Sequence, residues 1–465
     1  MLYMVRCILE LKTPLHCGET TDGILDAPVT RDPFGYWRIP GSTIAGVMRS
    51  YVHDNDPEHE VILFGQEQGQ EQSSHVWCSD AVLLDYDQTP AWRKAFLGQP
   101  VNIGIHSFLR DHVCMDLEKG VGTTGGKFDE EYVPAGTRFA LEISLDGWME
   151  PLTPDMISAF TNLLLVFKNE SLHFGAFASN GYGSYKIVAF EARQFNLTDP
   201  QGMEQWLQLT EMPLFPKGLG TPWEVKGTCK TPNKNILCGN LTIPLKATGP
   251  ILIAGGSPKG NIDADLCFVQ TAMFDYTKKQ LQDVLVLPGS SLRGILRHRV
   301  YQILTAQGVA SPQKEIDDLF GATKGGTDMH RGRLGVSDAR LLTVNDQAVL
   351  DDCQSVQHVS IDRFTGGAMD AHLFNEAPLW QEDVSFQLHI RLDAVTPKQA
   401  SLLLHALLDL MQGKLAVGNG VNRGNGRVAL DAKTPIKCNL AWNGEELTET
   451  DHAKAKQWLA KIAQA

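Results

Sequence analysis

The sequence predicts an α+β fold built twice in tandem, and three observations carry that prediction. Pro40-Gly41-Ser42-Thr43-Ile44-Ala45-Gly46-Val47-Met48-Arg49 returns as Pro288-Gly289-Ser290-Ser291-Leu292-Arg293-Gly294-Ile295-Leu296-Arg297. Three more pairs follow in the same order and at nearly constant spacing. They are Leu63-Phe64-Gly65 with Leu319-Phe320-Gly321, Ser79-Asp80-Ala81 with Ser337-Asp338-Ala339, and Gly175 to Gly183 with Gly418 to Gly426. An ordered set of this kind marks duplication of a whole unit. Within each copy the hydrophobic patterns read strand, helix, strand, strand, helix, strand. That order is the ferredoxin-like split arrangement, an antiparallel sheet with both helices on one face. A chain of 465 residues also exceeds what one core serves, so two units of about 200 residues each are expected.

The elements follow in turn. Residues 4–15 and 241–248 read as first strands, each leading to a glycine-containing loop, near Gly18 and near Gly255-Gly256. The Pro-Gly-Ser segments open helices in which Ile44, Val47 and Met48, or Leu292, Ile295 and Leu296, form a buried stripe. Strands are predicted at 76–84 and 334–342, then at 137–146 and 384–393. A second helix follows in each copy, from Pro154 to Lys168 and from Pro397 to Met411, and a last strand at 183–190 and 426–430. Two insertions interrupt each copy, one after the first strand and one between the middle strands. The predicted division is 1–194, a connecting segment 195–236, 237–435, and a tail 436–465. In the tail Ala455, Trp458, Leu459 and Ile462 share one helical face.

Composition narrows the functional classes. The nine cysteines, among them Cys7, Cys17, Cys78 and Cys267, show no C-x-x-C spacing. A structural zinc site and a disulfide framework are therefore not expected. The N-terminal segment lacks the pattern of a signal peptide, and no apolar run is long enough to span a bilayer. A cytoplasmic setting is expected. Net charge is −13, which disfavours nucleic acid in bulk. The charge is uneven, however. Arg293, Arg297 and Arg299 lie in a stretch without acids, as do Arg423 and Arg427, so a local basic groove remains open.

The repeated loops supply the candidate site. Gly181 and Gly183 in one copy, and Asn422, Arg423, Gly424 and Arg427 in the other, lie in glycine-rich loops whose amides can cradle an anion; a plain tight turn is the rival reading. Helix starts at Ser42 and Thr43, and at Ser290 and Ser291, can cap their own helices or present free amides to phosphate. Gly46 and Gly294 leave the helix surface bare. Arg293 and Arg297 are spaced to share a face as a backbone clamp, with Arg49 as the weaker counterpart. Asp26, in the loop Asp26-Ala27-Pro28-Val29-Thr30-Arg31-Asp32-Pro33, has no helical or strand pattern to explain it, and Ile262-Asp263-Ala264 echoes it. Arg363, beside Phe364 and Gly366, suits insertion among bases or a subunit contact.

Taken together, these stretches resemble the crRNA-binding backbone subunit of type III CRISPR effector complexes, in the RAMP superfamily. The likeness rests on Leu15-His16-Cys17-Gly18, the Asp26 to Pro33 loop, Ile39-Pro40-Gly41-Ser42, Gly46, Ile361-Asp362-Arg363 and Gly418 to Gly426. The tandem form is similar to the double-backbone subunit of type III-D variant complexes. The resemblance implies ferredoxin-like/RRM-like cores with inserted thumb hairpins. It also implies binding of a crRNA guide and complementary target RNA, and assembly with other backbone and large-subunit proteins. It places a catalytic, metal-binding aspartate at Asp26, with a weaker or inactive counterpart at Asp263, and calls for Mg2+ or another divalent cation. His16, Gly18 and Arg31 are then expected at the RNA. A non-catalytic guide scaffold and a guide-precursor processing endoribonuclease are the competing expectations.

Overall fold

The computed structural model describes residues 1–19, 26–66, 72–104, 106–116, 118, 121–148, 150–211, 213–227, 236–255, 264–322, 330–342, 355–380, 384–443 and 445–463. Its first sheet is built around β1 (Leu2–Leu11), which is buried along nearly its whole length. Strand β1 pairs antiparallel with β7 (Arg138–Asp146) on one side and β8 (Tyr185–Phe195) on the other. Beyond β7 lie β3 (Val76–Cys78) and β4 (Ala81–Leu83), and β2 (Arg38–Ile39) pairs with β4. Helices α1 (Gly41–Asn55) and α4 (Pro154–Lys168) cover one face of this sheet. Ile44, Met48 and Val52 from α1, and Phe160, Leu163, Leu164 and Phe167 from α4, pack there with Val5, Cys7, Leu9, Leu11 and Ile143. Full burial of each such side chain is worth about 1.5–3 kcal/mol. Helix α4 begins where Pro154 fits the first turn and Thr153 accepts from the Met156 amide. Short helices α2 (Glu60–Phe64) and α3 (Ala91–Phe96) complete this side.

The second sheet repeats the plan. Strand β10 (Leu237–Ala247) lies between β18 (Ser385–Val395) and the pair β19 (Val428–Leu430) and β20 (Lys437–Trp442). Strands β14 (Leu334–Val336) and β15 (Ala339–Leu341) border β18. Helices α6 (Gly289–Ala306) and α8 (Pro397–Met411) form the helical layer, with α7 (Pro312–Phe320) between them in sequence. The predicted strands at 76–84 and 334–342 are each split in two at the repeated Ser-Asp dipeptide. The protein is thus α+β, with two sheet units in tandem.

Two departures matter. The connecting segment contains α5 (Pro200–Leu207) and β9 (Thr221–Pro222), and β9 extends the first sheet. Residues 436–465 are more than a tail: β20 and β21 (Glu445–Thr448) join the second sheet. Trp458 and Ile462 of α9 (His452–Ala463) enter its core, although Leu459 stays exposed. The inserted segments between the middle strands are long hairpins, β5 (Phe108–Met115) with β6 (Gly122–Tyr132), and β16 (Val356–Ile361) with β17 (Ala368–Ala377). Among the described residues no helix is long and apolar enough to cross a membrane.

The two copies meet through a second insertion. The hairpin β12 (Gln270–Asp275) and β13 (Gln280–Leu287), which precedes α6, lies on copy one, where Phe274 and Tyr276 join the first core. The Phe274 amide donates to the Ala135 carbonyl at 2.8 Å, and the Tyr276 hydroxyl donates to the Leu84 carbonyl. Arg110 on β5 pairs with Asp338 at 2.9 Å and donates to the Thr271 hydroxyl at 3.0 Å.

Candidate nucleic-acid interface

The loop that carries Asp26 is strapped to the foot of the β5–β6 hairpin. The Asp26 amide donates to Asp129 Oδ1 at 3.1 Å, and the Asp129 amide donates to Asp26 Oδ2 at the same distance. The Glu131 amide then donates to the Ala27 carbonyl at 2.9 Å, and the Val29 amide donates to Glu131 Oε2 at 2.9 Å. Arg31 closes the strap through the buried Glu131 carboxylate and the Gly35 carbonyl. Arg31 is thereby a positioning residue held inside the loop rather than a free cation. His16 is buried, with Nδ1 against the Glu131 carbonyl at 2.8 Å and Phe177 at its edge. It supports the strap from beneath, while Gly18 and Asp26 stay exposed.

Among the described residues, copy two repeats the strap at Asp265. Asp263 lies outside the described residues. The Asn375 amide donates to Asp265 Oδ2 at 2.8 Å, and the Asp265 amide donates to the Asn375 carbonyl at 3.0 Å. The neighbouring loop confirms the register, since Thr30 bonds back to Cys17 as Val269 bonds back to Ile253. Asp265 is therefore the geometric counterpart of Asp26, and Asn375 that of Asp129. Among the described residues, copy two has one carboxylate at this point where copy one has two.

The helix starts are largely satisfied from within. The Gly41 amide donates to Asp80 Oδ1 at 2.8 Å, and the Gly289 amide to Asp338 Oδ1 at 2.8 Å. Neither helix has a side-chain cap from its own serine or threonine, because the repeated Ser-Asp-Ala aspartate already answers the helix dipole. Ser42 is exposed, and Thr43, Ser290 and Ser291 are half-buried. A Cβ on Gly46 or Gly294 would meet nothing within 4 Å, so both leave open surface. The predicted clamp is turned inward. Arg297 pairs with Asp317 at 3.1 Å, and Arg293 donates to the Phe320 carbonyl and is lowered to about 10 by burial and then by Arg297. Arg49 pairs with Glu60 at 2.8 Å. These arginines fasten the first helix to the short helix after it.

The glycine loops differ in setting. Gly183 and Gly426 are buried with positive φ, and a Cβ on either would strike the carbonyl of Phe174 or Val417. That is the tight-turn reading. Gly181 is buried against Ser337 of copy two, so the first loop forms part of the junction. In copy two Asn422, Arg423, Gly424 and Arg427 are all exposed. Arg423 pairs with Glu376 on β17 and lies over the Phe374 ring. Arg363 sits at the hairpin tip over Phe364, which is 85% exposed.

Residues 8–186 and 245–429 both match the sequence profile of the RAMP superfamily. The chain belongs to the RAMP superfamily. A curated relative, the CRISPR system Cms endoribonuclease Csm3 of Methanocaldococcus jannaschii, is 27% identical over 191 residues. That alignment covers 39% of this chain and 76% of the relative. Among solved structures, a type III-B Cmr-beta cryo-EM structure in the apo state is 16% identical with a TM-score of 0.31, covering 40% of this chain and 96% of that one. The same assembly bound to cognate target RNA gives 16% and 0.30 with the same coverage.

Within this RAMP chain several residues of the candidate site carry no sequence signal. Asp129 and Glu131 fall in the charged run Asp129-Glu130-Glu131, and only pairing to the Asp26 loop separates them from solvated acids. Glu130 is fully buried, with His112 Nε2 at 3.0 Å, and the His112 ring is stacked on Phe128. Copy two repeats that arrangement with His358, Glu376 and Phe374. Among the described residues no group of three or more His, Cys, Asp or Glu side chains is placed to hold a metal ion. The Asp26 and Asp129 carboxylates nonetheless fit a cation that takes the rest of its ligands from water and substrate phosphate, as Mg2+ commonly does.

Proposed function

We propose that this chain is an RNA-binding backbone subunit of a type III CRISPR effector, in a tandem form similar to that of type III-D variants. In this reading it holds a crRNA guide paired with target RNA, and the target is cut at the Asp26 loop. One observation carries the proposal. In a chain whose two halves both match the RAMP superfamily, an exposed carboxylate is fixed at the foot of a long projecting hairpin by paired bonds to Asp129. The hairpins β5–β6 and β16–β17 act as thumbs that interrupt the guide–target duplex, and the other backbone and large subunits flank the two copies.

RNA suits so sparse a site because it brings its own nucleophile. When the strand is bent in line, the 2′-oxygen bonds to phosphorus and gives up its proton to a base, while the bond to the 5′-oxygen breaks and that oxygen takes a proton from water, leaving a 2′,3′-cyclic phosphate and a 5′-hydroxyl. Asp26 is placed to take that proton or to orient the strand, and Asp129 holds it there. A divalent cation, with Asp26 and Asp129 as its protein ligands, would supply charge stabilisation at the phosphate. Copy two, with Asp265 beside an amide rather than a second carboxylate, is the weaker centre or a scaffold.

The test is an assembled effector loaded with guide and supplied with labelled target RNA and Mg2+. Asp26→Ala is expected to remove one cut while guide and subunits stay assembled. Persistence of every cut in that variant would overturn the catalytic assignment. Co-purification of no RNA would overturn the backbone reading itself.

A further inference from the structure

A basic cleft lies where the sheet of copy two meets copy one, outside the Asp26 site. On β18, Phe386, Leu388, Ile390 and Leu392 turn into the core, which leaves His389 and Arg391 on the opposite face. Arg391 forms the floor, with its side chain 11% exposed. Its Nε donates to Asp393 at 2.8 Å. Its Nη1 and Nη2 are buried and make no hydrogen bond among the described residues. Leaving the strongest donor fork in proteins unsatisfied is costly unless a ligand completes it.

Five further basic groups converge there. Gly335 backs onto the fork: a Cβ on it would lie 3.2 Å from Arg391 Cζ and 3.2 Å from the Ala178 carbonyl of copy one. Arg340 donates to the Lys12 carbonyl across the junction. His173 is held well below the ordinary imidazole range by burial, then by Arg391, Arg331 and Lys12. His389 is lowered by burial, then by Arg340 and Lys12. Two carboxylates answer them: Glu170 pairs with Lys12, and Asp393 is shared by Arg331 at 3.7 Å and Arg391. Asp338, also nearby, is taken by Arg110.

The cleft is not inherited from the duplicated fold. Gly335 faces Arg391 as Trp77 faces Ser144, and Ser337 bonds to His389 as Ser79 bonds to Glu142. Copy one therefore has a serine and a glutamate where copy two has an arginine and a histidine. Arg391 thus adds positive charge where another copy abuts, in a chain whose net charge is −13.

We infer that the cleft formed by Lys12, His173, Arg331, Arg340, His389 and Arg391 binds a phosphodiester of an RNA strand passing from copy one to copy two. The inference rests on the RNA-binding reading above. A guanidinium whose two buried Nη groups lack partners matches the tetrahedral oxygens of phosphate, and the Lys12, Arg331 and Arg340 charges add attraction without sequence preference. The segment from Lys12 to Gly18 joins the cleft to the Asp26 strap, a distance of at most about 20 Å along an extended chain. One strand can occupy both.

The experiment is fluorescence anisotropy of a labelled single-stranded RNA with the purified full chain at a series of salt concentrations. Arg331→Ala, at the exposed rim, is expected to weaken binding roughly five- to tenfold. It should also flatten the slope of log K against log salt by about 0.7, one phosphate contact. Arg391→Ala should weaken it more, and Lys226→Ala, a remote exposed lysine, should leave affinity and slope nearly as they were. If Arg391→Ala does not fold, Arg331→Ala and His389→Ala decide. RNA binding by the parent chain, with slope and affinity retained in both rim variants, overturns the cleft and leaves the function proposal standing. The same result accompanied by loss of a co-purifying protein makes the cleft a protein contact and likewise overturns it. No RNA binding by the parent chain overturns both.

Discussion

Removing Arg110 tests whether the two copies are held by a buried ion pair or merely lie side by side. The Arg110 side chain is 7% exposed and that of Asp338 4%. Arg110 reaches both Asp338 oxygens, at 2.9 and 3.1 Å, and donates to Thr271 at 3.0 Å. It also lies over Tyr132 and Tyr182, at 5.2 and 5.7 Å. Arg110→Met keeps the aliphatic bulk and leaves Asp338 hydrogen-bonded to the Gly289 amide. Stranding one member of a buried pair costs about 3–5 kcal/mol, against about 0–1 kcal/mol for a surface pair. Burial decides for the larger figure. Urea unfolding followed by tryptophan fluorescence is suited to this, because Trp37 packs against Phe274 of the other copy at 6.2 Å. Arg110→Met should lower stability by about 3 kcal/mol or more and separate the unfolding of the two copies into distinct transitions. Arg110→Met with Asp338→Asn should recover most of the loss, since the stranded charge is gone. A loss under about 1 kcal/mol, or a double variant as damaged as the single one, would refute the reasoning.

Gly41→Ala places a Cβ 2.3 Å from the Cys78 carbonyl and should cost about 1–3 kcal/mol in thermal unfolding. Gly46→Ala meets open space and should gain roughly 0.5–1 kcal/mol from helix propensity; a destabilised Gly46→Ala protein would mean that this face is covered. His59, raised above the ordinary value of 6.5 by its bond to Asp56 and then by Asp155, contributes stability that is complete below that value. The contribution is lost as pH climbs through the raised one. The urea midpoint of the parent should therefore fall from about pH 6 to about pH 8 more steeply than that of His59→Gln, and parallel curves would exclude the contribution. Asn375→Asp gives copy two the second carboxylate of copy one and should strengthen any cut opposite Asp265 in the assembled effector; an unchanged cutting pattern would show that the second carboxylate is not what separates the two copies.

The fold was legible because repetition and periodicity are one-dimensional signals. Helix α4 begins and ends at Pro154 and Lys168 as its pattern predicts. The site was less legible because it depends on which segments lie opposite each other. Gly41 and Gly46 look alike in sequence, yet one is pressed against a carbonyl and the other faces open space. The echo Ile262-Asp263-Ala264 points to Asp263, which lies outside the described residues, whereas the pairing of Asp265 to Asn375 had no signal in the sequence. The arginine spacing at 293 and 297 is real, and so is the helix face it implies. Only the position of α7 reveals that this face is turned toward Asp317 and Phe320.

The junction shows how a duplicated unit acquires a partner from itself. In each copy the Ser-Asp-Ala aspartate accepts from the first amide of the long helix earlier in that copy, α1 or α6, and each aspartate is paired with an arginine as well. Asp80 finds Arg38 in its own copy, at the position where Arg38 faces Val82 in the sheet. In copy two the corresponding pair is Val286 facing Arg340. The cation from the same copy is gone, and Arg110 of copy one takes its place. Meanwhile Arg340, standing where copy one has Val82, reaches across to Lys12 and becomes a wall of the basic cleft. Replacing Arg by Val and Val by Arg at one paired position thus does two things: it opens Asp338 to a neighbour's arginine, and it brings positive charge to the seam between the copies. A junction fastened in this way would offer the strand proposed to cross it a continuous surface, which two independent copies on a flexible linker would not.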